Sequence, residues 1–175
     1  MVQKSILVVD DVADWREQLK SILKRSGYQV DTAANYRQAL VKINHTLAEL
    51  VIVDLRLDPV DENNRDGMLL LEQLSKLRIN ALVITGYGTA DLKEKAQTLE
   101  AISFIEKGVI GKSLEKLKTI INTIFSEIEA RDRNRAEVRQ KFIQGEAVGF
   151  SSSAAGYPLR ESLDETIEQV INGSP

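Results

Sequence analysis

The chain has 175 residues, a formal net charge of -3, 43% hydrophobic and 28% charged residues, and no cysteine. That length suits one ordinary domain with an appendage, and the mildly acidic balance gives no global basic field to draw the chain to nucleic acid or an anionic membrane. Disulfides, thiolate metal sites and cysteine nucleophiles are excluded. With no run of about 18 apolar residues and charges too early for a secretory signal, no membrane insertion and a cytoplasmic location are expected.

The first predicted strand, Ser5 to Val9, contains the apolar run ILVV. A helix follows over Asp14 to Arg25, where Trp15, Leu19, Ile22 and Leu23 recur at helical spacing and Gly27 stands as the C-terminal cap. Next come a strand over Gln29 to Ala33, a helix over Tyr36 to Thr46, a strand over Leu50 to Val53 and a helix over Met68 to Lys76. A strand over Ala81 to Ile84, a helix over Ala90 to Leu99, a strand over Ile102 to Ile105 and a fifth helix from Ser113 complete five βα repeats. The runs ILVV, LVIV and ALVI are continuously apolar, as strands covered on both faces are. This alternation predicts an α/β fold, a doubly wound parallel sheet.

Open α/β sheets place ligands beyond the carboxyl ends of their strands. Asp10 and Asp11 end the first strand, Asp54 ends the third, Thr85 the fourth, and Lys107 follows the fifth. Neighbouring carboxylates repel, so Asp10 and Asp11 call for a compensating cation or donor. Three converging carboxylates suit a hard divalent cation with oxygen ligands, Mg²⁺ first. The Thr85 hydroxyl and the Lys107 ammonium add donors for an anion beside it, and a phosphoryl group meets that description. A carboxylate can itself be the nucleophile, and Asp54, alone at its strand end, is the candidate.

Five segments in order, "ILVVDD", "LVIVDLRL", "DGMLLLEQL", "LVITGYGTAD" and "FIEKG", resemble the receiver domain of bacterial two-component response regulators across residues 4 to 125. The resemblance implies a flavodoxin-like (βα)5 fold. It implies that Asp10 and Asp11 bind Mg²⁺ together with Asp54 and the backbone carbonyl of Arg56. It makes Asp54 the phosphoacceptor for a histidine kinase or phosphotransfer protein. Thr85 then binds phosphoryl oxygens, Lys107 pairs with the phosphate, and Phe104 is the aromatic partner of Thr85 in a switch. That switch repacks the face made by helix four, strand five and helix five, and a downstream protein partner reads it.

Two features depart from the family pattern. Gly108 follows the lysine where the family has proline behind a cis bond; a non-proline cis bond costs about 2.5 to 4 kcal/mol, so a trans bond and a displaced lysine loop are expected. The segment "LRLDPVDENNR" is longer than the usual loop and adds Asp58, Asp61 and Glu62, read here as a solvated acidic loop. Taken singly, Asp10 and Asp11 are turn and capping residues, Phe104 is core, and Thr85 merely ends a strand; together they point to the site. His45, the lone histidine, is assigned no chemistry.

Four regions are expected: a receiver domain over 1–125, a helical extension over 126–144, a flexible linker over 145–161 and a short amphipathic helix over 162–173. In the extension, Leu114, Leu117, Ile121, Ile124 and Ile128 follow a coiled-coil seam that Arg131 and Arg135 interrupt and Val138 and Phe142 resume. It leaves a homodimer through this helix open. In the last helix Ser162 and Glu165 form a capping box, and Leu163, Ile167, Val170 and Ile171 share a face ahead of Gly173. It can dock on its own chain, a second copy or a partner. The main expectation is a non-enzymatic, phosphorylation-dependent signalling module with no separate output domain. The alternatives are a dimeric DNA-binding regulator using the basic stretch Arg131 to Lys141, a degenerate constitutive docking module, and an aspartyl-phosphate hydrolase. Nucleic acid is disfavoured because acids are interspersed, and the hydrolase because Arg56 stands where an acid is needed.

Overall fold

In the computed structural model, which describes residues 3–45, 47–58, 60–61, 63–111, 114–144, 167 and 169–171, strand and helix alternate from Ser5 onward. The order is β1 (Ser5–Val9), α1 (Ala13–Arg25), β2 (Gln29–Ala33), α2 (Tyr36–His45), β3 (Leu50–Val53) and α3 (Asp66–Leu77). It continues with β4 (Asn80–Thr85), α4 (Ala90–Thr98), β5 (Ser103–Glu106), α5 (Lys107–Gly111) and α6 (Leu114–Ile143). Among the described residues, five strands form one sheet in the order β2-β1-β3-β4-β5, every neighbouring pair parallel. The chain is therefore the expected α/β fold, a five-stranded parallel sheet with alternating helices.

The order reverses direction at β1. The step from β1 to β2 runs one way and the step from β2 to β3 the other, so right-handed crossovers put α1 on one face and α2 on the opposite face. The point of reversal, between β1 and β3, is where such sheets open a crevice. Val9 pairs with Val53 in that register, so Asp10 and Asp54, one residue on in each strand, emerge side by side.

Alternate residues explain the continuous apolar runs. Leu7 and Val9 of β1, Val51 and Val53 of β3 and Val83 of β4 join Ala39, Leu70 and Leu74 in one buried cluster. Their neighbours Ile6, Val8, Ile52, Leu82 and Ile84 are equally buried, so both faces of the sheet are covered. Such burial contributes about 1.5 to 3 kcal/mol per large side chain.

Strands β1 to β3 have the predicted bounds, while β4 gains a residue at each end and β5 lies one residue further along. Helix α3 begins at Asp66, two residues before the predicted Met68. Asn64 Oδ1 accepts the Asp66 N–H at 3.2 Å, which supplies a partner for an otherwise orphaned first-turn donor. The short α5 was not predicted, because one turn containing Gly108 and Gly111 shows no apolar period. Gly27, at φ +92°, follows α1 as expected, and its N–H closes on the Lys24 carbonyl at 3.0 Å.

The chain divides into two compact units, Met1–Leu114 and Glu115–Pro175. In the second, Leu117, Ile120, Ile121, Ile124, Phe125 and Ile128 are buried, whereas no described residue of α6 beyond Ile128 is. Ile167 is buried, and Lys116 Nζ donates to the Ile171 carbonyl at 2.6 Å. Ile171 thus meets α6 of its own chain. The expected linker over 145–161, the Ser162 and Glu165 capping box, Leu163, Gly173, Thr46, Glu62 and Ser113 lie outside the described residues.

Candidate functional site

The site is built on the carboxyl edge of β1, β3, β4 and β5. The Asp54 N–H donates to the Val9 carbonyl at 2.9 Å and the Asp10 N–H to the Ala33 carbonyl at 3.1 Å, extending the ladder one residue past each strand. Both side chains are therefore fixed by the sheet and are almost fully buried, Asp10 at 2% and Asp54 at 3% exposure. Asp11, next along the chain, is half-buried.

Each Asp54 oxygen has its own donors. Oδ1 accepts the Thr85 hydroxyl at 2.8 Å and the Arg56 N–H at 3.3 Å, and Oδ2 accepts Lys107 Nζ at 2.5 Å. The same Lys107 Nζ lies 2.6 Å from Asp10 Oδ2, so one ammonium bridges two buried carboxylates. Asp10 Oδ1 accepts the Val12 N–H at 2.9 Å. Thr85 is fully buried, and its oxygen also accepts the Tyr87 N–H at 3.3 Å. Phe104 is half-buried and packs against the core cluster.

The expected displacement of Lys107 does not occur. The described residues contain no cis peptide bond, so the bond to Gly108 is trans as predicted. The lysine nevertheless reaches both carboxylates, because α5 starts at Lys107 directly from β5 and the helical turn sets its backbone.

Asp10, Asp11 and Asp54 each offer one oxygen, all within 4.8 Å of one another. A hard divalent cation takes such oxygen sets, so the residues present fit one. Asp58 and Asp61 are spent on their own loop, accepting the Val60 and Asn63 N–H groups at 2.9 Å each. They are not part of the carboxylate cluster found among the described residues.

Burial pushes the Asp10 carboxyl up from 3.8 to about 6, with the Asp54 charge adding to the rise and the Lys107 hydrogen bond and charge opposing it. Burial pulls Lys107 down, but the Asp54 and Asp10 carboxylates win and hold it above its ordinary value. Because the folded value of Asp10 is raised, its contribution to metal-free stability is present below about pH 4 and is lost as pH rises through about 6. A bound cation needs the carboxylate ionised. Cation affinity is therefore expected to fall by up to about tenfold per pH unit below about pH 6, and Asp10→Asn to bind weakly with a flatter pH profile. Titration monitored by Trp15, the sole tryptophan, measures this; an unchanged wild-type affinity across that range would contradict it.

Side-chain contacts of Arg56, Tyr87, Arg16 and Trp15 at the site carried no sequence signal. The Arg56 guanidinium stacks on the Tyr87 ring at 3.6 Å and donates to the Tyr87 hydroxyl. Arg16 Nη1 donates to the Asp10 carbonyl at 2.5 Å, and the Trp15 ring centroid lies 5.6 Å from Lys107 Nζ. The Arg56–Tyr87 and Trp15–Lys107 contacts join side chains far apart in the chain, and the Arg16 bond runs to a backbone carbonyl, so no helical or strand period announces them.

A family model described as the response regulator receiver domain matches residues 6–122. Sporulation initiation phosphotransferase F of Bacillus subtilis is 28% identical over 109 residues, covering 61% of this chain and 84% of that protein. A putative NtrX-like response regulator of Rickettsia bellii is 29% identical over 155 residues, covering 87% of this chain but 31% of that protein. This chain thus spans under a third of that relative's length. Among solved structures, a response regulator from Burkholderia pseudomallei with a phosphorylated aspartic acid, calcium ion and citrate is 31% identical at a TM-score of 0.54, over 60% of each chain. No described helix is long and apolar enough to cross a membrane. With a match over more than half its residues and the fold to go with it, the chain belongs to the response regulator receiver domain family of two-component signalling.

Proposed function

We propose that the chain is a phosphorylation-dependent signalling module in which Asp54 accepts a phosphoryl group from the phosphohistidine of a histidine kinase or phosphotransfer protein. The observation that carries this reading is the division of donors on Asp54: Thr85 and Arg56 on one oxygen, Lys107 on the other. Asp10, Asp11, Asp54 and the Arg56 carbonyl are the residues that would hold Mg²⁺, whose charge neutralises phosphoryl oxygens when bound. An Asp54 oxygen attacks phosphorus and forms the new O–P bond. The P–N bond breaks and its electron pair stays with the donor imidazole.

Lys107 then pairs with a phosphoryl oxygen, and the Thr85 hydroxyl turns from Asp54 Oδ1 to another. Movement of Thr85 opens space that the half-buried Phe104 can enter, which alters the α4 and β5 surface that a downstream protein partner reads. Past Ile128, the exposed Val138 of α6 lies on the seam through which a second copy of the chain would pair. Arg133 is paired there with Glu129 at 3.8 Å, which weighs against a helix face dedicated to nucleic acid. The Arg56 guanidinium, engaged with Tyr87, leaves no acid two residues after Asp54 for a hydrolase.

Incubation with acetyl phosphate and Mg²⁺, followed by intact mass, tests the proposal. Wild type should gain the mass of one phosphoryl group and Asp54→Asn should gain none. Equal uptake by both would remove Asp54 from the role, no uptake by wild type would favour a constitutive docking module, and sustained phosphoester turnover would favour a hydrolase.

A further inference from the structure

The Trp15 ring, on the first turn of α1, faces the lysine at 5.6 Å from centroid to Nζ. That distance is inside the roughly 6 Å over which an aromatic face attracts an ammonium. Trp15 is half-buried, and its Nε1 is buried without a hydrogen-bond partner among the described residues. A buried indole N–H usually finds an acceptor. No hydrogen bond at its edge fixes this ring, so its face is the part with a partner.

The helical turn of α5 sets the backbone of Lys107 but not the far end of its long side chain. A Cβ added at Gly108 would meet nothing within 4 Å, so no neighbouring group wedges the residue after the lysine. What the ammonium itself touches therefore decides where it sits: Asp10, Asp54 and the Trp15 face. Two of these three change during use. Asp54 loses a free oxygen when it carries a phosphoryl group, and Asp10 is among the oxygens that suit a cation. The indole face carries no charge to be neutralised, and its attraction persists through both changes.

We propose that Trp15 is a positioning residue that keeps the Lys107 ammonium beside Asp54 through the phosphorylation cycle. The role in the cycle rests on the reading of Asp54 as the phosphoacceptor, whereas the contact between ring and ammonium does not.

Because Trp15 is the only tryptophan, fluorinated tryptophans can be placed in the full chain at this position alone. Each fluorine withdraws electron density from the ring face with little change in size. Phosphoryl uptake from acetyl phosphate should slow stepwise with fluorination, by about tenfold in Trp15→Leu and by less than about threefold in Trp15→Phe, which keeps a face. The Lys107 side-chain methylene next to Nζ should show an upfield ring-current shift in the wild-type NMR spectrum, retained in Trp15→Phe and absent in Trp15→Leu. If wild type is phosphorylated but fluorination has no effect and Leu equals Phe, Trp15 only packs and the proposal fails while the role of Asp54 stands. If wild type takes up no phosphoryl group, the reading of Asp54 fails instead; the ring-current shift then upholds the contact by its presence or overturns it by its absence.

Discussion

Gly67→Ala is expected to destabilise the fold by about 3 kcal/mol and to impair phosphoryl uptake at the same time. A Cβ at residue 67 would stand 2.2 Å from the Asp54 carbonyl oxygen and 2.4 Å from Leu55 Cα. Both are backbone atoms at the end of β3, so no flexible side chain can yield. Inserting even a methyl group into a packed region typically costs about 1 to 3 kcal/mol, and a clash with backbone belongs at the upper end. Either α3 must move off the sheet or the end of β3 must shift, and the latter moves Asp54 itself. Gly108→Ala is the matched control: its added Cβ meets nothing within 4 Å, and stability should hold or rise by up to about 1 kcal/mol. Urea denaturation of the two variants beside wild type reads the difference, and equal midpoints for Gly67→Ala and Gly108→Ala would sink the argument.

Lys107→Met should cost the metal-free protein about 3 kcal/mol at neutral pH, since it leaves two buried carboxylates facing each other without their shared cation. The side chains of Asp10 and Asp54 are 3% and 4% exposed, so water screens them poorly. Two conditions should shrink the loss. At mildly acidic pH, below the Asp10 value of about 6, that carboxyl is neutral and the ammonium has less charge to offset. A saturating divalent cation should also recover stability, because it binds the folded state and supplies the missing positive charge. Denaturation in chelator, in chelator at lower pH, and in excess Mg²⁺ covers the three cases. An unchanged midpoint in neutral chelator would mean that Lys107 does not compensate the pair.

The fold was legible where burial is two-sided. ILVV, LVIV and ALVI fit strands covered on both faces, and the polar residues that end them fall at one edge because every strand runs the same way. The convergence of Asp10, Asp54, Thr85 and Lys107 followed from that edge alone. Expectation and structure part where one residue's conformation depends on its successor: Gly108 suggests a loose lysine loop, but a single helical turn at α5 sets the Lys107 backbone without any apolar periodicity to announce it. Arg56 was assigned a carbonyl, whereas its guanidinium stack on Tyr87, 31 residues away, could not be read from spacing. Trp15 reads in the sequence as a helix-packing residue, and the ring's approach to Lys107 shows only when α1 and α5 are brought together.

The loop after β3 is pinned on both sides of Arg56. Leu55 and Leu57 are each 4% exposed within the core cluster, and the Leu57 N–H is tied to Asn64 Oδ1 at 3.1 Å. Val60, three residues on, is 89% exposed. Two leucine anchors and one asparagine clasp thus insulate Asp54 mechanically from whatever lies between residues 58 and 63. Length and charge can change in that span without pulling on the strand, which makes it a natural port for inserted sequence and frees its acidic residues to diverge independently of the chemistry.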